Sequence, residues 1–325
     1  MRWTAFALLP VLILLAAGCG TPSFLITPVS NSPQLQEVQV QSGQGFSPDK
    51  IALVEVEGML VNARAGGLLQ ATENPLSKFT QQLNKAAADR RVKAVVLRIN
   101  SPGGTVTASE TMHRLVLEFR AATGKPVVAA AQETAASGGY MVALASDRIY
   151  ANPTSVVGSI GVIFQTFHVQ QTLGMIGVKV NTLTSGEMKD MGSPFRDPTE
   201  KDNAVMQGMI DSYYQRFVAK VTDRRGLGDP QRVTLVTDGR VFTGEQARSL
   251  GLVDEVGSLE EAIGAARAMA NAPRAKVVMY IRPFGYTGSI YAQQALPPAQ
   301  ASAPLLSLPE SVQPLAPGFY YLWRP

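Results

Sequence analysis

Two stretches, VKAVVLRI (92–99) and KPVVAAAQ (125–132), are nearly continuous apolar runs, short and rich in valine and alanine. Runs of this kind are strands buried on both faces. Such strands need helices above and below them, and the sequence supplies candidates. NPLSKFTQQLNKAAADRR, ahead of the first run, sets Leu76, Phe79, Leu83 and Ala87 at helical spacing. TASETMHRLVLEFRAA, between the two runs, opens with Thr107 and Glu110 as a capping box and gathers Met112, Leu115, Val116 and Phe119 on one face. IALVEVEG (51–58) is an earlier strand of alternating pattern. Strands alternating with helices of this length predict βαβ units and a largely parallel sheet, an α/β fold.

The pattern continues past Gly158. Asp197, Pro198 and Glu200 start a long amphipathic helix to about Arg224, carrying Met206, Met209, Tyr213, Phe217 and Val221. Two further helices start at Thr243 and Ser258, with Gln246 and Glu261 three residues on. With 325 residues, 46% of them hydrophobic, the chain can bury a large core. Its organisation reads as a signal segment (1–19), a tether rich in Ser, Gln, Pro and Gly (20–48), a folded domain (49–272) and a Pro/Ala/Gln-rich extension (273–325). That extension ends in the apolar tip GFYYLWRP.

A net charge of +4 with scattered basic residues implies no nucleic-acid partner. No Cys/His spacing offers a metal site, and a single cysteine excludes an internal disulfide framework. No cofactor is implied. The apolar run from Ala5 to about Ala17 is short for a membrane span and fits a secretory signal. The small residues before Cys19 resemble a bacterial lipoprotein signal, in which the cysteine is lipidated and membrane lipid becomes a partner. An uncleaved anchor and ordinary secretion are the alternatives. All three put the body of the protein outside the cytoplasm, and the anchored readings place it in the bacterial cell envelope.

Three segments carry chemistry. RINSPGGTV (98–106) leaves a buried strand and bares the backbone at Gly103 and Gly104, where α/β sheets place ligands and where amides can stabilise an anion. On its own it also reads as a plain Gly-Gly turn. TAASGGYMVALASD (134–147) sets Ser137 at a strand-to-helix junction, with Gly138 and Gly139 clearing room for a substrate carbonyl and a helix amino end favouring negative charge. The plainer alternative is a small residue at a tight crossing. TSGEMKDMGSPFRD (184–197) is a polar loop around Lys189, which alone reads as a solvated surface lysine.

Taken in order, SPGG, ASGGY, GSIGV (158–162) and SGEMKD resemble the signal peptide peptidase (protease IV) family of serine proteases, in its short single-repeat form. The resemblance runs from about Ile51 to Ala270 and includes DGRVFTGEQARSLGLVDEVG (238–257). It implies a ClpP/crotonase-like fold of repeated β-β-α units, a largely parallel sheet and additional helices. It also implies Ser137 as nucleophile, Lys189 as general base, Gly104 and Gly138 as oxyanion-hole amides, and Ser159 as the hydroxyl that orients the lysine. Neither His113 nor His168 is needed; His113 falls on the capped helix, towards its outer face. A lysine acting as base must shed its charge, which calls for apolar surroundings and for Asp190 to point away. The resemblance further implies a ring-shaped homo-oligomer in which serine and lysine come from neighbouring subunits, with peptides as substrates. A crotonase-like acyl-CoA enzyme would share the glycine-rich anion site without needing the Ser/Lys pair or an export signal. A catalytically silent ring-forming scaffold would need none of these residues.

Overall fold

The structure is a computed structural model that describes residues 34–43, 45, 47–63, 73–282 and 318–324. Cys19 and the signal-like segment lie outside the described residues. In chain order, β1 (Gln36–Gln41), β2 (Lys50–Leu60), α1 (Pro75–Ala88), β3 (Val92–Thr105), α2 (Val106–Thr123), β4 (Val127–Ala136) and α3 (Gly138–Ala143) form the first half. β5 (Arg148–Ala151), β6 (Val156–Gly158), β7 (Ile163–Gln165), α4 (Gln170–Met175), α5 (Glu200–Arg225) and α6 (Pro230–Val236) follow. Then come β8 (Val241–Thr243), α7 (Gly244–Ser249), β9 (Glu255–Val256), α8 (Leu259–Met269), β10 (Lys276–Ile281) and β11 (Gly318–Leu322).

The main sheet runs β1-β10-β2-β3-β4-β5-β9. Every neighbouring pair from β10 to β9 is parallel, and β1 closes one edge antiparallel. Alternate residues face opposite cores, as the pleat demands. Ala52, Val54, Val95 and Leu97 pack with Phe79, Leu83, Met112, Val116, Phe217 and Val221 from α1, α2 and α5. Ile51, Leu53, Ala94, Val96 and Val128 pack on the other face with Leu259, Ala262, Ile263 and Ala266 of α8. Burial on both faces is why these strands lack polar alternation.

The long strands change partners part-way. β3 pairs with β4 through Val95–Ile99, shifts register before Ser101, and ends beside β11 at Gly103–Thr105. β4 pairs with β5 through Val128–Ala131, then with β6 through Thr134–Ala136. Each is therefore two strands joined at a bend and followed by a helix. This is the β-β-α arrangement expected from the sequence, and it carries both glycine-rich segments to one end of the sheet.

The capping boxes at Thr243/Gln246 and Ser258/Glu261 are formed. α2 differs: its cap is Thr105, whose side chain accepts from the Ala108 amide, and Glu110 instead pairs with Arg216 of α5 at 2.7 Å. On α1 the buried face falls on Ala86 rather than Ala87, which is exposed. His113 is 8% exposed rather than outward-facing, because α5 packs along that side of α2 and places Lys220 near it. Two segments assigned to tether and extension hold sheet strands. Residues 36–41 pair with β10, and residues 276–281 lie between β1 and β2.

Candidate active site

Ser137 is the residue between β4 and α3, with φ 50° and ψ −115°. Among the described residues only Ser137, Ser159 and Asn271 are non-glycine with positive φ. Such backbone costs about 1–3 kcal/mol and persists only where the surroundings enforce it. Here the Ser137 amide donates to Gly158 O at 2.7 Å, and its carbonyl accepts from the Met141 amide at 2.8 Å, starting α3. Below it, Tyr140 Oη donates to Leu252 O at 2.7 Å, and Arg224 of α5 donates to the carbonyls of Leu144, Ser146 and Asp147. The junction is held from several sides.

The Ser137 side chain is 1% exposed in the single chain, and its Oγ has no hydrogen-bond partner among the described residues. The two glycine pairs are there for contact. A Cβ on Gly138 would sit 2.3 Å from Ser109 Oγ, and one on Gly139 would sit 2.6 Å from Ser101 O. A Cβ on Gly104 would sit 2.0 Å from Leu60 O. Gly103, at φ 108°, presents the point where its Cβ would be only 2.7 Å from the Gly138 amide nitrogen. The SPGG turn and the start of α3 thus touch backbone to backbone, leaving bare amides beside the serine. Ser159 is buried on the neighbouring turn, its amide donating to Arg240 O at 2.7 Å.

Lys189 stands apart. It lies in an exposed turn, its amide donating to Gly186 O at 3.0 Å, and its side chain makes no hydrogen bond or ion pair with a described residue. Within one chain it is not joined to Ser137. Asp190 does point elsewhere, to Arg196 at 2.9 Å, and that hydrogen bond holds its carboxyl below the usual range. His168 is exposed, with Thr166 Oγ1 at 3.2 Å and Arg196 O at 3.0 Å. A pocket of about 430 Å³ lined by Glu57, Arg98, Asn100, Gln132, Glu133 and Asn152 includes none of the predicted site residues.

A strained serine beside two glycine turns suits nucleophilic attack on a carbonyl. Residues 120–273 match the sequence model of Peptidase family S49. A putative protease of Methanocaldococcus jannaschii is 37% identical over 72% of this chain and 75% of that protein. A putative signal peptide peptidase SppA of Enterococcus faecium is 35% identical over 73% of this chain and 68% of that protein. The chain belongs to peptidase family S49. It is a serine protease. Protease 4 of Salmonella typhi is also 35% identical, over 63% of this chain but 33% of that longer protein. Among solved structures, a ClpP1 mutant from Listeria monocytogenes is 15% identical, with a TM-score of 0.42 over 65% of this chain and 94% of that one.

The apolar tip of the extension, whose sequence suits a groove on a neighbouring subunit, the protease's own cleft or the lipid interface, forms a strand beside the site in the S49 chain. β11 lies between the end of β3 and β7, antiparallel to both, with Tyr321 opposite Gly104 and Phe319 opposite Phe164. Phe217 and Tyr213 of α5 meet its aromatic side chains. The available signal was the run FYYL, strong in β propensity, at the end of a polar stretch.

Proposed function

We propose that this chain is a serine endopeptidase of the cell envelope that uses a Ser137/Lys189 dyad on signal peptides or other hydrophobic peptides. The observation that carries the reading is the Ser137 turn: a strained backbone, a buried hydroxyl without a partner among the described residues, and the Gly138 amide beside Gly103. Ser137 Oγ attacks the substrate carbonyl carbon, and its proton passes to the neutral Lys189 amine. The Gly104 and Gly138 amides hold the oxyanion. Collapse breaks the C–N bond, and the lysine proton goes to the leaving amine. Water then repeats the sequence on the acyl ester, freeing Ser137. Ser159, on the turn hydrogen-bonded to Ser137, orients the lysine.

The base comes from a neighbouring copy in a ring. Lys189 is exposed, and so are large apolar residues earlier in the same stretch of chain, with Met175 at 80%, Ile176 at 70% and Leu183 at 90%. A surface of that kind favours burial against another chain, which would also strip water from the amine. Anchoring rests on Cys19 and its lipid. Among the described residues no helix is long and apolar enough to cross a membrane.

Ser137→Ala and Lys189→Ala should each abolish cleavage of a hydrophobic peptide without unfolding the protein, and their losses should not add. Lys189→Arg should fail too, since arginine keeps its proton. Mixing the two alanine variants before assembly should restore part of the activity, because some interfaces then unite an intact serine with an intact lysine. Full turnover by Lys189→Ala refutes the dyad; no recovery in the mixture refutes the shared site. Cys19→Ser should move the protein from the membrane fraction or leave its signal uncleaved.

A further inference from the structure

The loop that carries Lys189 is fastened by the Arg196 guanidinium. Arg196 Nη2 donates to Asp190 Oδ1 at 2.9 Å and to Asp202 Oδ1 at 3.1 Å, while Nη1 donates to the other Asp202 oxygen. Asp202 is 2% exposed and is itself fixed, because it closes the capping box of α5. The Thr199 amide donates to Asp202 Oδ2 at 2.8 Å, and the Asp202 amide donates to Thr199 Oγ1 at 3.1 Å. Further along, α5 roots Phe217 and Val221 in the core. The residue next to Lys189 is therefore tied to a rigid helix end.

The loop is held from a second side as well. The Arg196 carbonyl accepts from His168 Nδ1 at 3.0 Å, and His168 Nε2 lies 3.2 Å from Thr166 Oγ1, just past β7. The Val169 amide donates to Pro194 O at 2.7 Å, and within the loop the Ser193 amide donates to Asp190 O at 3.0 Å. The other carboxylates of the region have their own places. Glu187 pairs with Lys201 of α5 at 2.7 Å, while Asp197 and Glu200 are exposed beside the start of that helix. The Lys189 side chain pairs with none of them.

A free carboxylate next to the base would defeat it. A negative charge within about 4–6 Å of an amine holds the proton in place and raises the pKa by about 1–3 units. Asp190 is one residue away and charged at neutral pH, so its direction decides how much neutral lysine exists. We propose that Arg196 is a positioning residue for the general base: it clamps Asp190 against Asp202, which anchors the loop to α5 and leaves Lys189 with no carboxylate at its amine. The inference rests on the dyad reading above. A neutral residue at 190 would remove the charge but also the anchor, and the planar fork of arginine serves two carboxylates at once.

The test is the pH profile of kcat/KM for the assembled protein. Arg196→Met should move the acid limb up by about 1 unit or more, so that turnover falls roughly tenfold on the acidic side and largely recovers at high pH. Adding Asp190→Asn should bring the limb back. A loss of equal size at every pH, or a shift that Asp190→Asn leaves in place, overturns the proposal, and so does reversal by Glu187→Gln instead. Arg196→Lys keeps the charge without the fork and should shift the limb the same way by less; it carries the comparison should Arg196→Met fail to assemble. A second readout needs no turnover. Acetic anhydride labelling of Lys189 against pH, in Ser137→Ala protein, reads the amine directly, and Arg196→Met should raise its pKa by the same amount. An unchanged value overturns the proposal. Full turnover by Lys189→Ala together with the labelling shift would sink the dyad and leave the Arg196 clamp standing.

Discussion

The proposed nucleophile should make the folded protein less stable than it need be. Ser137 Oγ is buried with no partner among the described residues. Burying a hydroxyl without compensation costs about 1–3 kcal/mol on mutational scales. Ser137→Ala removes the oxygen and leaves the packing nearly intact, so it should stabilise the fold by about 1–3 kcal/mol, or roughly 2–8 °C in Tm for a domain of this size. If a neighbour's Lys189 partners the hydroxyl in the ring, the gain shrinks. The measurement is therefore a double-mutant cycle of Ser137→Ala and Lys189→Ala, by urea unfolding at fixed protein concentration. In the Lys189→Ala background the full gain should appear, and its excess over the gain in wild type is the coupling within the dyad. Ser137→Gly also frees about 1–3 kcal/mol of strain, offset by about 0.5–1 for glycine entropy and about 0.8 for the lost methylene. It should land close to the alanine variant. Ser146→Ala, removing another buried hydroxyl without a partner among the described residues, is the control that should move the same way. Loss of stability on Ser137→Ala in the Lys189→Ala background would refute the reasoning, since it would mean that the hydroxyl is already satisfied.

Other outcomes follow from single contacts. Tyr140→Phe deletes the donor to Leu252 O and should cost about 1–3 kcal/mol in the same unfolding assay. Gly104→Ala drives a methyl into the Leu60 backbone and should cost about 1–3 kcal/mol or more, with peptidase turnover down roughly a hundredfold as the amide shifts. Unchanged turnover there would remove Gly104 from the oxyanion site. His113 is pushed down to about 4, first by burial and then by Lys220, with Glu110 opposing. Because the unfolded chain takes up this proton first, the stabilising effect is complete above about pH 6.5 and is lost as pH falls towards 4, up to about 3 kcal/mol. His113→Leu should flatten that part of the stability profile.

Much of the fold was legible because burial on both faces writes itself into a strand. VKAVVLRI and VVAAA have no polar alternation, and the helices before and between them carry one apolar face each. Cap chemistry placed α7 and α8 to the residue, since Thr243 and Ser258 have their glutamine and glutamate at the required spacing. At α2 the same rule misled, because Thr105 offered an earlier cap and Glu110 had a tertiary partner in Arg216. Ser137 could be found from its neighbours, small residues that only a crowded junction requires. What the sequence hid was long-range pairing. Nothing local to residues 276–281 or 318–322 says which strand they join, and composition near 36–41 suggested a tether where an edge strand forms. Nor does the exposure of Lys189 follow from its motif, because the motif records chemistry rather than which chain supplies it.

The bend in β3 and β4 limits how this site can diversify. The same strands that form the centre of the sheet run on, without an intervening loop, to Gly103, Gly104 and Ser137. Lengthening or replacing a loop, the usual route to new specificity, is closed on that side, since any insertion at the bend would slip core residues out of register. The other walls are freer. β7 belongs to no pair in the main sheet, and the half of α5 that carries Tyr213 is largely solvent-facing. If Ser137 is the nucleophile as proposed, change in what the enzyme accepts should accumulate in β7 and α5, with the strands that lead to Ser137 held nearly constant, and libraries aimed at altered specificity belong there.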